Sequence, residues 1–141
     1  MTLDYNGKVV IVTGAGGGLG RCHALEFARR GAKVVVNDLG GAVDGSGGSS
    51  EAADKVVEEI KAAGGEAMSN GSSVTDDTGV ANMVQQTMDA YGRIDVLVNN
   101  AGVLRDKSFA KMEIADFDFV VDVHLFGTMK PTKAVWPIMK E

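Results

Sequence analysis

Residues 13–20 read Thr-Gly-Ala-Gly-Gly-Gly-Leu-Gly, which leaves five of the last seven positions without a side chain. A Cβ keeps a bulky ligand away from the backbone, and glycine removes that obstacle. The run follows a β-branched stretch, Lys8–Thr13, and opens a helical one. A turn leading from strand into helix points the unpaired N–H groups of the first helical turn outward. Those groups, at the positive end of the helix dipole, suit a diphosphate. Gly14, Gly16, Gly17, Gly18, Leu19 and Gly20 are therefore candidate diphosphate-binding residues. A turn whose glycines serve only tight packing is the competing reading. A P-loop does not fit, because no Gly-Lys-Ser/Thr follows the glycines.

Asp38 stands 18 residues beyond Gly20, after a second β-branched run, Lys33–Asn37. A carboxylate there accepts hydrogen bonds from both hydroxyls of an adenosine ribose and repels a 2′-phosphate. Residues 14–20 hold no Arg or Lys, and Leu39 follows Asp38. The cofactor expected is NAD rather than NADP. The plainer alternative makes Asp38 a loop cap.

Other reactive side chains read more blandly. Cys22 excludes an internal disulfide, suits a reducing compartment, and is expected in the core of the first helix. His23 has no partner motif, and no metal site is assigned.

The elements that position these residues come from the hydrophobic pattern. Lys8–Thr13 and Lys33–Asn37 are short continuous apolar runs, as in strands buried on both faces. Between them a helix spans about Gly18 to Arg30, with Leu19, Cys22, Phe27 and Ala28 on its inner side and Gly31 ending it. A Gly/Ser-rich loop runs from about Leu39 to Ser50. Ser49 or Ser50 caps the next helix, with Glu51 and Asp54 in its first turn and Ala53, Val56, Val57 and Ile60 on its inner stripe. Glu66–Ser69 is a weaker third strand. Residues 76–91 form a helix with Val80, Met83, Val84, Thr87, Met88 and Tyr91 on one face. Arg93–Val98 is a fourth strand. A long helix starts near Ile114, with Phe117, Val120, Val121, His124, Leu125 and Thr128 sharing a face and Pro131 disrupting it near Gly127.

Strand and helix thus alternate four times. Right-handed crossovers turn that into an α/β, Rossmann-type doubly wound parallel sheet with strand order 3-2-1-4. The 141 residues are 45% hydrophobic and 23% charged, ordinary for one soluble domain. The net charge of −5 comes with no basic stripe, so nucleic acid is not an expected partner. No apolar run approaches the roughly 20 residues of a membrane span, and no signal peptide is visible. The expected location is cytoplasmic or an organelle matrix.

Thr13-Gly14-x-x-x-Gly18-x-Gly20 together with Asn99-Asn-Ala-Gly102 resembles the short-chain dehydrogenase/reductase family, and the likeness covers the chain as its N-terminal half. Asn37-Asp-Leu-Gly-Gly41, Ala52–Ile60, Asn99–Phe109 and Val123-His-Leu are similar to the (3R)-hydroxyacyl-CoA dehydrogenase subfamily of peroxisomal multifunctional enzymes type 2 and bacterial relatives. The resemblance implies NAD-dependent hydride exchange with a secondary alcohol or ketone, the substrate being a small molecule such as a 3-hydroxyacyl-CoA thioester. It also implies a homo-oligomer, and the peroxisomal matrix in a eukaryotic host. Residue by residue, it implies that Ser73 and Val74 flank the adenine and that Asn100, Ala101 and Gly102 approach the cofactor. An ordinary strand end is the alternative for Ser73 and Val74.

The family's acid/base pair is Tyr-x-x-x-Lys, with a Ser on the substrate oxygen. Here Val9 lies four residues after Tyr5 and Asp95 four after Tyr91, so the pair is absent. The family places it beyond a point matching Glu141. Residues 1–141 are accordingly expected to be an incomplete NAD-binding domain, inactive alone. A non-catalytic NAD(H)-binding module is the reading if Glu141 is the C-terminus. His124 falls where many members carry a tetrad Asn whose carbonyl holds a water in a proton relay. A packed, hydrogen-bonded histidine is the alternative.

Overall fold

A computed structural model of the chain describes residues 3–41 and 50–141. The strands are β1 (Val9–Thr13), β2 (Lys33–Asn37), β3 (Glu66–Asn70) and β4 (Val96–Val98). The α-helices are α1 (Gly18–Arg29), α2 (Glu51–Ala62), α3 (Asp77–Tyr91), α4 (Ile114–Val121) and α5 (Gly127–Met139). The strands form one parallel sheet in the order β3-β2-β1-β4. This is the expected doubly wound arrangement.

Burial explains why the strands read as continuous apolar runs. Successive side chains alternate between sheet faces. Val10, Val12, Val34 and Val36 enter a core with Ala24, Ala53, Val56 and Ile60 of α1 and α2. Ile11 and Val35 point the other way and pack with Met83 of α3 and Val135 of α5. Both faces are covered, so no polar residue interrupts β1 until Thr13.

Helix ends follow local chemistry. Asp76 caps α3 by accepting from the Gly79 N–H at 3.1 Å. Gly31 follows α1 at φ +99°, where a Cβ would collide with Asn6. Ser50 precedes α2 in a helical conformation without a capping side-chain bond, and Ser49 lies outside the described residues. β4 is shorter than the expected Arg93–Val98. Ahead of it Asp95 takes over the pairing with β1: its N–H donates to the Val9 carbonyl, and its carboxylate accepts from the Val9 N–H, both at 2.9 Å. Arg93 grips that carboxylate through two bonds of 2.8 and 2.7 Å and holds its pKa below the usual range.

Two expected helix faces are corrected. Leu19 is 73% exposed and Cys22 is exposed, while Gly20 and Ala24 are the buried residues of α1. Small residues let the helix sit close to β1, and they carry little hydrophobic signal. Further on, α4 and α5 are joined by a π-helical turn, Asp122–Phe126. Its i→i+5 bonding breaks the 3.6-residue phase. The inner row is Val123, Gly127, Pro131 and Val135, whereas Phe117 and Leu125 are exposed. The irregularity ends just before Gly127, near where it is expected, but it is a π turn rather than a break: α5 runs on through Pro131 to Met139.

Candidate functional site

The C-terminal ends of β1, β2 and β4 and the segment after β3 converge on one cleft of about 430 Å³. An open α/β sheet offers its crevice at this end. Gly14, Gly16, Gly17, Gly18, Asp38, Ser73, Val74, Asn100, Ala101 and Gly102 all line it. Of the sequence-derived candidates, Leu19, Gly20 and His124 do not.

The glycines divide into two kinds. A Cβ on Gly14 would lie 2.8 Å from the Ala101 Cα, one on Gly16 would lie 2.7 Å from an Asp38 oxygen, and one on Gly20 would strike the Gly14 carbonyl. Gly14 and Gly20 let backbone pack on backbone, and Gly16 leaves room for the Asp38 carboxylate and the Ala52 side chain. Gly17 and Gly18 have nothing within 4 Å of that position, and Gly18 adopts φ +55°. They face open space at the start of α1, where no side chain caps the helix and its first turn holds no acidic residue. A side-chain-free rim with unclaimed helix N–H groups fits a diphosphate.

Asp38 bridges the turn and the loop after β2. One carboxylate oxygen accepts from the Gly16 N–H at 2.8 Å and the other from the Gly40 N–H at 2.6 Å. Each oxygen keeps a further lone pair for a ligand hydroxyl. A neighbouring hollow is lined by Gly16, Gly40, Arg21 and Lys55. Neither cation sits in the glycine turn, so the turn's sequence gives no sign of them. Arg21 is paired with Glu59, and Lys55 lies 3.1 Å from Glu51.

The far wall is fixed by polar side chains at and just beyond the strand ends. The Thr13 hydroxyl accepts from the Asn100 and Ala101 N–H groups, each at 3.0 Å. The Asn100 amide donates to the Thr13 and Gly14 carbonyls at 3.1 and 3.0 Å. The second strand's buried Asn37 donates to the Asn70 side chain at 2.8 Å and to the Ser72 carbonyl at 2.9 Å, securing the approach to Ser73 and Val74. Pairing this deep polar set is required, since an unpaired buried amide costs about 1–3 kcal/mol. Sequence offered one hint: polar residues ending apolar strands at 13, 37 and 70.

Beyond the cleft, the His124 Nε2 lies 3.1 Å from the Val103 nitrogen and 2.9 Å from the Val103 oxygen. Asp116 of α4 receives Arg105 at 3.2 Å and Lys107 at 2.9 Å, and its carboxyl is held below the usual range mainly by the Lys107 bond. Arg105 also stacks 4.2 Å over Phe119, a cleft residue. Among the described residues, no group of His, Cys, Asp and Glu could hold a metal ion, and no helix is long and apolar enough to cross a membrane.

Comparison with known proteins agrees with this fold. Residues 8–141 match the family model described as short chain dehydrogenase. The chain is 59% identical over 141 residues to peroxisomal multifunctional enzyme A of Dictyostelium discoideum, covering 100% of the chain and 31% of that protein. It is 53% identical over 139 residues to peroxisomal multifunctional enzyme type 2 of Mus musculus, covering 99% and 18%. A solved 7α-hydroxysteroid dehydrogenase, complexed with NADH and 7-oxo glycochenodeoxycholic acid, superposes with a TM-score of 0.86 at 34% identity. That match covers 97% of the chain and 50% of the structure. The chain thus spans half or less of each of these proteins.

Proposed function

This chain belongs to the short-chain dehydrogenase family, and from that premise we propose that its cleft holds NAD(H) for hydride exchange with a secondary alcohol or ketone. The substrate class is a 3-hydroxyacyl-CoA thioester, a reading supported by the subfamily motifs and by the identity to peroxisomal multifunctional enzymes. When bound, the nicotinamide supplies or accepts the hydride. The chain's own residues bind and orient. Gly17, Gly18 and the N–H groups opening α1 take the diphosphate, with Leu19 and Gly20 contributing backbone. Asp38 takes the adenosine ribose. Ser73 and Val74 flank the adenine, and Asn100, Ala101 and Gly102 form the wall facing the nicotinamide half. Proton transfer is assigned to none of these residues, which hold no Tyr-x-x-x-Lys.

The observation that carries this reading is the placement of Asp38. Its carboxylate lies against the same turn that presents the open glycines. The charge favours NAD over NADP, and the two nearby cations, Arg21 and Lys55, are each paired with a glutamate. The relatives' names support a peroxisomal location in a eukaryotic host; a cytoplasmic location in a bacterial host belongs to the proposal without support from those names. A homo-oligomer is supported by family resemblance.

Calorimetric titration of the full-length protein with NAD and with NADP tests the cofactor reading. A preference for NAD of tenfold or more supports it, and equal affinities contradict it. NADH absorbance on mixing NAD with a (3R)-3-hydroxyacyl-CoA tests the substrate class, and no turnover on such thioesters would reject it.

A further inference from the structure

Resting on that reading of the cleft, we infer that Glu59 is a second determinant of cofactor choice: it occupies the guanidinium of Arg21 and so denies a ribose 2′-phosphate the cation that would otherwise receive it. The place for such a phosphate is the hollow beside Asp38, about 430 Å³ in volume. Gly16, Gly40, Gly41 and Ala52 line both this hollow and the cleft, so the two spaces meet along these residues. Gly16 and Gly40 are also the residues whose N–H groups hold the Asp38 carboxylate. A ribose held by Asp38 therefore lies at the boundary, and a phosphate on its 2′ oxygen has the hollow to enter.

The charges lining the hollow come in pairs. Arg21 of α1 reaches across to Glu59 of α2, its Nε donating to Oε1 at 3.1 Å and its Nη2 to Oε2. Lys55 stands one turn before Glu59 on α2, with its Nζ 3.1 Å from a Glu51 oxygen. Each of these cations is matched by one carboxylate, and the charge of Asp38 remains as the excess. An entering phosphate would find both cations engaged and Asp38 repelling it.

Geometry singles out the Arg21 pair. A planar guanidinium presents two parallel N–H groups and grips a carboxylate or a phosphate with the same fork. Glu59 thus fills the fork that a 2′-phosphate would use. Lys55 is a point charge on a flexible stem, and its side chain is 68% exposed against 40% for Arg21. An ion pair as open to water as Arg21–Glu59 adds little to stability. Its consequence falls instead on what the hollow accepts. Glu59 lies 38 positions beyond Arg21, so neither the glycine spacing nor Asp38 announces it.

Calorimetric titration of full-length variants with NAD and with NADP tests the assignment. Asp38→Asn removes the repelling charge and sets the background. Adding Glu59→Gln should raise NADP affinity about tenfold further, the scale of one charge-assisted hydrogen bond, while NAD affinity changes less than about twofold. Adding Arg21→Met to that double variant should abolish the gain. A merely structural effect would move both cofactors together, so equal gains for NAD and NADP overturn the inference. So does an unchanged NADP affinity on adding Glu59→Gln, or a gain that survives Arg21→Met. If the double variant does not fold, Glu59→Gln alone carries the comparison: the ratio of NADP to NAD affinity should rise about threefold, and an unchanged ratio overturns the inference. A wild-type protein that binds neither nucleotide removes the cleft reading and the inference with it, whereas each of the other outcomes leaves that reading standing.

Discussion

Asp38 spends one oxygen on each of two backbone amides, at Gly16 and Gly40. It therefore shapes the glycine turn as well as reading the ribose, and its removal acts on both. Asp38→Ala should weaken NAD binding about 10- to 100-fold, as expected for lost hydrogen bonds to a charged group. The preference over NADP should shrink in the same titration. The glycines offer a sharper contrast. Gly17→Ala meets open space and an extended backbone, so the protein should fold normally and lose affinity for NADH. Gly20→Ala drives a methyl into the Gly14 carbonyl. It should lower stability by about 1–3 kcal/mol, measured by denaturant unfolding, whatever happens to binding. Sequence spacing marked all these glycines alike. Only the fold shows which of them meet protein atoms and which meet the cleft.

At the scale of elements, β1 and β2 were legible because continuous β-branched runs have few other uses. β4 was legible in place and not in extent. Its first half is replaced by the Asp95 carboxylate, a side chain doing a backbone's work, which no periodicity reveals. That substitution has a pH signature. The pKa of Asp95 is lowered in the folded chain, chiefly by Arg93. Its contribution is present above the unfolded carboxylate value, near 4, and is lost as pH falls through the lower folded value. Asp95→Asn should cost about 1–2 kcal/mol at neutral pH, and the gap to wild type should close in acid. A gap that stays constant down to the acid limit would assign Asp95 a packing role only. The α4–α5 region was the least legible. Periodicity assumes 3.6 residues per turn, and the π turn departs from that spacing; within it Val123 is buried and Leu125 is exposed.

On the scale of the whole molecule, β3 and β4 are the sheet's edges. On α4, the π turn and α5, the apolar side chains of Phe117, Leu125 and Trp136 are 54%, 61% and 62% exposed. An unpaired parallel edge, together with exposed large apolar side chains, invites pairing with another chain. Residues 1–141 expressed alone should therefore elute above monomer size in gel filtration, and a sharp monomer peak would show the surface to be self-sufficient. The doubly wound architecture was legible as a whole because alternation of strand and helix leaves few topologies. The chemistry was less so, since Thr13, Asn37 and Asn70 act through contacts between residues far apart in sequence.

The central claim is that the rim from Gly17 into α1 receives the cofactor's diphosphate. Hydrogen exchange of the peptide covering residues 14–20, measured in the full-length protein with and without saturating NADH, reads those amides directly. Exchange should slow markedly on binding. If NADH binds by calorimetry while these amides exchange at an unchanged rate, the diphosphate lies elsewhere and the account is wrong.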